Sequence, residues 1–230
     1  MSKINVLSVL LCLFNGTVSQ AQMSLSDADA EKLGYKKVVK YLKKNESRNN
    51  LHYFSEIQPS VNDSADMSRF YFHRGTYTIH APVGQVWHTC MTASPANLWK
   101  GKMLGLSCVY SANSDKISYR GDQQFDMPEL HQIYFINLRM MRLFNVAAAL
   151  MTTRIDDNEK LLEFTYIEGN KSTGKQTVRL VETGDGETEI VHETFYRSGS
   201  KFRDKRLYPR FHQIAITDLH EKIEAYSTVE

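Results

Sequence analysis

Two histidines and two tyrosines in the second half of the chain have the chemistry for proton transfer. His192 and His212 carry imidazoles, which titrate near neutral pH, and Tyr166 and Tyr196 carry phenols, which can stabilise an oxyanion. Together they could act on an enolisable substrate. No family-diagnostic spacing joins them, and the sequence contains no G-x-S-x-G, P-loop or H-E-x-x-H motif. Acid-base catalysis by His192 and a tyrosine is therefore an alternative function.

The segment FRDKRLYPRFHQ, residues 202–213, concentrates four cations around a Tyr-Pro step. Pro209 suits the first turn of a helix, so we expect the C-terminal helix to begin there. Cations are unfavourable at the positive end of a helix unless an anion binds there. We therefore expect these four cations, Arg203, Lys205, Arg206 and Arg210, to receive a carboxylate or phosphate head group. Arg206 and Arg210 are the two taken as candidate ligand-binding residues. The alternative is a solvated face that Asp204 partly neutralises.

The strands before this helix predict an inner face that mixes apolar and polar side chains. If Met151, Phe164 and Ile190 point inward, alternation places Thr153 and several other polar side chains on the same face. Such a face suits a ligand cavity, in which a few polar groups orient an apolar guest, but also a core with satisfied polar groups. The candidate ligand-binding residues are Tyr166, Gln176, His192, Thr194, Tyr196, Arg206, Arg210 and His212.

Cys90 and Cys108 are the cysteines that remain once an N-terminal signal containing Cys12 is removed. Cys90 lies on the apolar side of a predicted helix, and Cys108 alternates with Leu104 and Leu106 in a predicted strand, so both are expected to face inward. In an oxidising compartment they can form a disulfide if their Cα atoms lie within about 7 Å. Two buried free thiols are the alternative. No C-x-x-C pair or Cys/His cluster indicates a metal site.

Residues 1–21 have the layout of a secretory signal peptide. Lys3 precedes an apolar run over residues 6–14, and Ser-Gln-Ala at residues 19–21 offers a small-x-small cleavage site. We therefore expect export, either to the periplasm or by secretion, while a buried first helix is the alternative. The apolar run is too short to span a bilayer comfortably, and no later segment is long and apolar enough to do so.

Composition and charge indicate a globular chain. It has 230 residues, 42% hydrophobic and 23% charged, which predicts one domain with an appendage. Lys and Arg number 28 against 26 Asp and Glu, so the net charge of +2 argues against a nucleic-acid partner. Residues 22–68 are expected to form the appendage, a lysine-rich helix and a linker, and residues 69–230 the main domain. The lysine face could bind an anionic surface, but a solvated face is favoured.

The main domain has the pattern of a strand, two short helices, a run of antiparallel strands and a long closing helix. The passage YTIHAPVGQVWHTCMTASPANLW, residues 77–99, is similar to the opening of START, pollen-allergen and polyketide-cyclase-like domains, where a strand reaches APxxxVW and a helix pair ends on tryptophan. The later hairpin GKQTVRLVETGDGETEIVHETFYR also resembles this superfamily. The resemblance covers most of residues 70–226. It implies the α+β helix-grip fold, in which a curved antiparallel β-sheet wraps a long C-terminal helix, here with an extra N-terminal helix.

The resemblance also implies an apolar cavity between the sheet and the last helix. The function that the sequence favours is therefore binding of a hydrophobic or amphipathic, lipid-like small molecule, without a cofactor, by an exported protein. One alternative is a cofactor-independent cyclase-like or lyase-like enzyme of the same fold. Another is a protein-interaction module with a vestigial pocket. Neither a nucleic-acid partner nor a membrane-spanning segment after signal cleavage is expected.

Overall fold

The computed structural model describes residues 22–62, 64–140, 144–184 and 186–228. The predicted signal peptide, residues 1–21, lies outside these ranges. Eight antiparallel strands form one curved sheet in the order β1-β8-β7-β6-β5-β4-β2-β3. The strands are β1 (Tyr71–Ile79), β2 (Leu104–Ser111), β3 (Lys116–Tyr119), β4 (Ile133–Met140), β5 (Phe144–Asp156), β6 (Leu161–Tyr166), β7 (Ser172–Gly184) and β8 (Glu187–Ser198).

Five α-helices cover the two faces of this sheet. They are α1 (Ala30–Leu33), α2 (Lys36–Asn49), α3 (Val83–Thr92), α4 (Pro95–Leu98) and α5 (Tyr208–Ser227). The order of elements after residue 70 confirms the predicted helix-grip architecture. No helix within the described residues is long and apolar enough to cross a membrane.

The sheet separates two hydrophobic cores. The inner core joins α3, α4 and α5 to one face, and includes Trp87, Trp99, Phe164 and Leu219. The outer core joins α1 and α2 to the opposite face, and Phe54 and Phe135 are fully buried there. The predicted lysine-rich helix therefore packs its apolar side on the back of the sheet. The domain boundary at residue 69 stays a prediction.

The last helix begins earlier than the Tyr-Pro step predicted. Helical conformation starts at Lys201, and a π-helical turn over Arg203–Leu207 leads into α5. In this turn the Tyr208 N–H donates to the carbonyl of Arg203, five residues back. Pro209 has no N–H, so it cannot donate to the carbonyl of Asp204, the next carbonyl along the helix. The hydroxyl of Tyr196 donates to that carbonyl instead, at 2.8 Å. The helix therefore continues through a proline because a side chain satisfies the carbonyl that the proline leaves free.

A β-bulge in β2 changes which face the second cysteine occupies. The pairing of β2 with β4 shifts between Leu106 and Cys108, so Leu106 faces the inner core and Cys108 the outer core. Cys90, on α3, belongs to the inner core. The two buried thiols are free and lie on opposite faces of the sheet, which corrects the disulfide alternative. Burial raises the pKa of the Cys90 thiol to about 12, because a thiolate would lose its hydration there.

The predicted inner face is wrong in part of β5, which also contains a second bulge. The register shifts between Thr152 and Arg154, which leaves Thr153 as the extra residue. Before the bulge Leu150 faces inward and Met151 faces the outer core. Met151 and Thr153 share a face, as alternation predicted, but it is the outer face: the Thr153 hydroxyl lies 3.0 Å from that of Thr165, which is paired with Met151. The predicted inward orientation of both residues is therefore wrong.

Candidate functional site

A cavity of about 350 Å³ lies between the inner face of the sheet and α5. The strands β4 and β5 form one wall with aliphatic side chains such as Ile136, Ala148 and Leu150. Its volume falls at the lower end of the roughly 300–1,000 Å³ typical of small-molecule sites. The lining residues are Trp99, Met103, Leu104, Ile136, Leu138, Met140, Val146, Ala147, Ala148, Leu150, Tyr166, Asn170, Lys171, Ser172, Gln176, His192, Arg203, Leu207, Tyr208, Phe211, His212, Ala215, Ile216 and Leu219.

One stripe of the last helix forms the opposite wall. Arg203, Leu207, Phe211, Ala215 and Leu219 follow one another at intervals of four residues, and all line the cavity. This spacing keeps side chains on one side of a helix. The helix is anchored to the sheet next to the cavity, because the buried carboxylate of α5 residue Asp218 accepts the backbone N–H of Met103 at 2.6 Å. A Cβ at Gly101 would collide with that carboxylate, so glycine leaves room for the anchor.

Gln176 joins the two histidines of the cavity wall. Its side-chain oxygen lies 3.1 Å from Nε2 of His192 and 3.0 Å from Nε2 of His212, so both nitrogens donate to it. The Nδ1 atom of His192 then accepts from Nε2 of His220, at 3.3 Å. Among the described residues, the buried Nδ1 atom of His212 has no hydrogen-bond partner. The network therefore fixes the tautomers and leaves one imidazole lone pair unused.

Burial keeps these histidines neutral. Desolvation is the largest cause in each case: it lowers the pKa of His192 well below its usual value, that of His212 to about 3 and that of His220 to about 4. The proximity of the imidazoles adds to the effect on His192 and His212, because two neighbouring imidazolium ions would repel each other. This wall of the cavity is therefore polar but uncharged near neutral pH.

Two tyrosines complete the polar wall. The hydroxyl groups of Tyr166 and Tyr208 are hydrogen-bonded to each other. Tyr208 stacks on Tyr196, with ring centroids 3.6 Å apart, and on His212, with centroids 5.2 Å apart. Burial raises the pKa of Tyr166 to about 12 and that of Tyr208 well above its usual value, so both phenols stay protonated. They can donate a hydrogen bond to a ligand oxygen but carry no charge.

Cationic side chains lie at the rim of the cavity. Arg203 is half-buried and Lys171 is exposed, and both contribute to the lining. The Nε atom of Arg203 donates to the hydroxyl of Ser198 at 2.9 Å, and its Nη2 atom donates to the carbonyl of Lys171 at 2.9 Å. These two bonds hold the guanidinium against the loop between β6 and β7. The rim therefore provides positive charge to an otherwise uncharged cavity.

The structure distributes the predicted site residues over three places. Tyr166, Gln176, His192 and His212 line the cavity, and their contact with a ligand stays a prediction. Thr194 and Tyr196 lie on the same inner face, but α5 and the π turn cover them. Arg206 and Arg210 are exposed and contribute nothing to the cavity wall, because the helix starts at Lys201 and these positions fall on its outer side.

Arg203 was predicted as one of four cations that receive an anion, but neither Arg203 nor Tyr208 was among the candidate ligand-binding residues, and both line the cavity. The signal was present, since the apolar series Phe211, Ala215, Leu219 extends backwards by fours to Leu207 and Arg203. Placing the helix start at Pro209 cut that series short. Within the described part of the chain, no group of three or more His, Cys, Asp or Glu side chains could hold a metal ion.

The sequence matches no protein-family model and no curated protein. Solved structures are similar to it. A truncated norcoclaurine synthase from Thalictrum flavum has 15% identity and a TM-score of 0.52, covering 74% of this chain and 99% of that one. A point mutant of that synthase in complex with a transition-state analogue has 15% identity and a TM-score of 0.50, covering 68% and 93%. The KanY protein has 8% identity and a TM-score of 0.50, covering 69% and 97%.

These proteins match almost their whole length to about two thirds to three quarters of this chain, at identities too low to show more than the fold. The match agrees with the resemblance in the sequence and with the order of elements in the structure. This chain therefore has the helix-grip fold, with a curved antiparallel sheet around a long C-terminal helix.

Proposed function

We propose that the protein binds a hydrophobic or amphipathic small molecule in the cavity between the sheet and α5. The observation that carries this proposal is the cavity itself, about 350 Å³ with mostly aliphatic and aromatic walls. An apolar guest gains free energy by leaving water for such a site, at about 25 cal/mol for each Å² of apolar surface buried. The ligand is lipid-like in character, because most of the wall offers it no hydrogen bond.

The polar groups of the wall support a binding role. Gln176, His192 and His212 form one neutral cluster, and Tyr166 and Tyr208 lie beside it. A few fixed polar groups in an apolar cavity orient a guest without contributing most of the affinity. Thr194 does not line the cavity but contacts this cluster from behind, since its hydroxyl lies 3.3 Å from Nε2 of His212.

Export belongs to the same proposal. Residues 1–21 have the n-region, apolar run and cleavage site of a secretory signal, so we place the protein in the periplasm or outside the cell. We also propose residues 22–68 as an appendage to a domain that begins near residue 69. Expression of the full chain followed by determination of the N-terminal residue of the mature protein tests this point. A mature chain beginning near Gln22 supports export, and an intact N-terminus in the cytoplasm contradicts it.

A cofactor-independent enzyme of the same fold is a second candidate. The observation that favours it is the unused Nδ1 lone pair of His212 beside the paired phenols of Tyr166 and Tyr208. One of the structural neighbours is a synthase bound to a transition-state analogue. A pKa of about 3 nevertheless makes His212 a weak base near neutral pH, so we rank catalysis second.

The test uses the neutral apolar dye N-phenyl-1-naphthylamine. We expect the folded protein to bind the dye with one saturable site and to release it when dodecanol or pyrene is added. Absence of binding, or saturation that neither competitor reverses, contradicts a ligand cavity. Mass spectrometry of an apolar extract from the native compartment identifies the bound molecule. If prolonged incubation converts that molecule into a product and His212→Ala stops the conversion, the enzymatic candidate replaces the binding one.

A further inference from the structure

We propose that Arg203 and Lys171 form a head-group subsite for a single-chain amphipathic acid, whose carboxylate or phosphate lies at the rim while its apolar chain fills the cavity. This inference rests on the proposed binding function and adds the chemical class of the ligand. It also narrows the anion site predicted from the sequence, at Arg203, Lys205, Arg206 and Arg210, to Arg203, and adds Lys171.

The guanidinium of Arg203 is positioned for an anion. Its hydrogen bonds to the Ser198 hydroxyl and the Lys171 carbonyl use only part of the planar set of N–H donors. The donors that remain belong to a group held in a fixed orientation, so little side-chain entropy is lost when an anion binds. Bidentate contact with a carboxylate or phosphate is the geometry that arginine favours.

The positive charge at the rim is not neutralised by the protein. Within the described ranges, neither Arg203 nor Lys171 forms an ion pair with a carboxylate. Asp204 is the adjacent acid, but it is buried and its carboxylate accepts the backbone N–H of Ser198 at 3.0 Å. An anionic ligand is therefore the group that compensates this rim.

The rest of the cavity offers no competing place for a charge. The histidines and tyrosines of the polar wall are neutral, and the other lining residues are mostly apolar. A charged head group buried among them would be left without a counter-charge, which is costly. The ligand therefore lies with its head at the rim and its chain inside. The modest volume suits one alkyl chain rather than a two-chain phospholipid.

The experiment compares four ligands of equal chain length by titration calorimetry: dodecanoate, dodecyl phosphate, methyl dodecanoate and dodecanol. For the wild-type protein we expect the two anions to bind more tightly than the ester and the alcohol. Arg203→Gln should weaken binding of the anions about tenfold or more, which corresponds to about 1.4 kcal/mol per decade, and change binding of the neutral ligands less than about twofold. Lys171→Gln should act in the same direction with a smaller effect, since its ammonium is more exposed.

Arg206→Gln and Arg210→Gln are the matched controls, because these arginines lie on the same helical segment but outside the cavity wall. We expect both to leave all four affinities unchanged. Equal losses of acid and ester in Arg203→Gln would mean that the arginine only supports the fold. Selective loss of the anions in Arg206→Gln or Arg210→Gln would place the head group on the outer side of the helix. Either result overturns the proposed subsite.

Failure of the subsite is distinguishable from failure of the binding function. If the wild-type protein binds dodecanol as tightly as both dodecanoate and dodecyl phosphate, the head-group subsite is wrong while the cavity function stands. If it binds none of the four ligands and no apolar dye, both proposals are wrong. The tighter of dodecanoate and dodecyl phosphate identifies the head group that the rim prefers, and a loss of that ligand in Arg203→Gln supports the subsite in either case.

Discussion

The two faces of the sheet differ in packing: the outer face carries a closed core, and the inner face borders a cavity. On the outer face, α2 and the segment after it close a core in which Phe54 stacks on Tyr110, with ring centroids 5.0 Å apart, and meets Phe135 edge-on at 5.8 Å. On the inner face, α5 stands away from the central strands and leaves a cavity. The same strands therefore contribute alternate side chains to a closed core and to an open site.

The contrast in packing explains how the fold maintains a cavity without collapsing. Closely packed aromatic side chains on the outer face supply stability through burial and dispersion contacts. The inner face carries a buried hydrogen-bond network around Gln176 and His192, which holds α5 at a fixed separation from the sheet. We therefore expect substitutions on the outer face to change stability, and substitutions on the inner face to change ligand affinity.

The largest effect should follow truncation of an outer aromatic residue. Phe135 is fully buried, so Phe135→Ala should lower the free energy of unfolding by about 3–5 kcal/mol, measured by urea denaturation. Phe211 lines the cavity and is half-buried, so Phe211→Ala should cost less than about 2 kcal/mol while weakening binding of the apolar dye. Equal stability losses in the two variants would contradict the difference between a closely packed outer face and an inner face that borders a cavity.

A smaller effect should come from acid, and it should arise on the inner face. Because the folded protein holds the pKa values of His192, His212 and His220 below the ordinary 6.5, these groups gain protons on unfolding. Their contribution to stability is present above pH 6.5 and is lost as the pH falls towards 4.5. The slope is about 1.4 kcal/mol per pH unit for each histidine that stays neutral in the folded state.

Urea denaturation between pH 7 and pH 4.5 measures this loss. His220→Gln should reduce the pH dependence of the free energy of unfolding, because it removes one buried imidazole that must stay neutral in the folded protein. His88→Gln is the matched control, because it removes an exposed imidazole instead of a buried one. A wild-type stability that does not fall over this interval would show that the buried histidine network is not neutral in the folded protein.

The sequence predicted the fold where side chains alternate without interruption. Phe164, Val178, Leu180 and Ile190 face inward as expected, and Tyr166 and His192 follow them to the cavity wall. The prediction failed at Met151 because both faces of β5 are apolar, Ala148 and Leu150 on the inner side and Ala149 and Met151 on the outer side, so composition does not show which face points inward.

The site was only partly predictable for reasons that lie in tertiary structure. The helix continues through Pro209 because Tyr196, from β8, satisfies the free carbonyl of Asp204, and this contact joins two distant elements. Without it, the helix was expected to begin at Pro209, and Arg206 and Arg210 were taken as the cations that line the cavity. The packing of α2 on the back of the sheet likewise depends on a match between two surfaces that neither segment reveals alone.

Substitution of two neighbouring alanines on β5 tests whether the inner face of the sheet holds a ligand cavity. Ala148 faces the cavity, and Ala149 is fully buried in the outer core, so one substitution made at both positions compares the two faces. Ala148→Leu should change the free energy of unfolding by less than about 1 kcal/mol and weaken binding of N-phenyl-1-naphthylamine about tenfold, because the added carbons occupy the ligand space. Ala149→Leu should cost about 1–3 kcal/mol by overpacking and leave dye affinity of the folded protein unchanged. Equal stability losses in both variants, with dye binding retained in Ala148→Leu, would contradict a ligand cavity on the inner face.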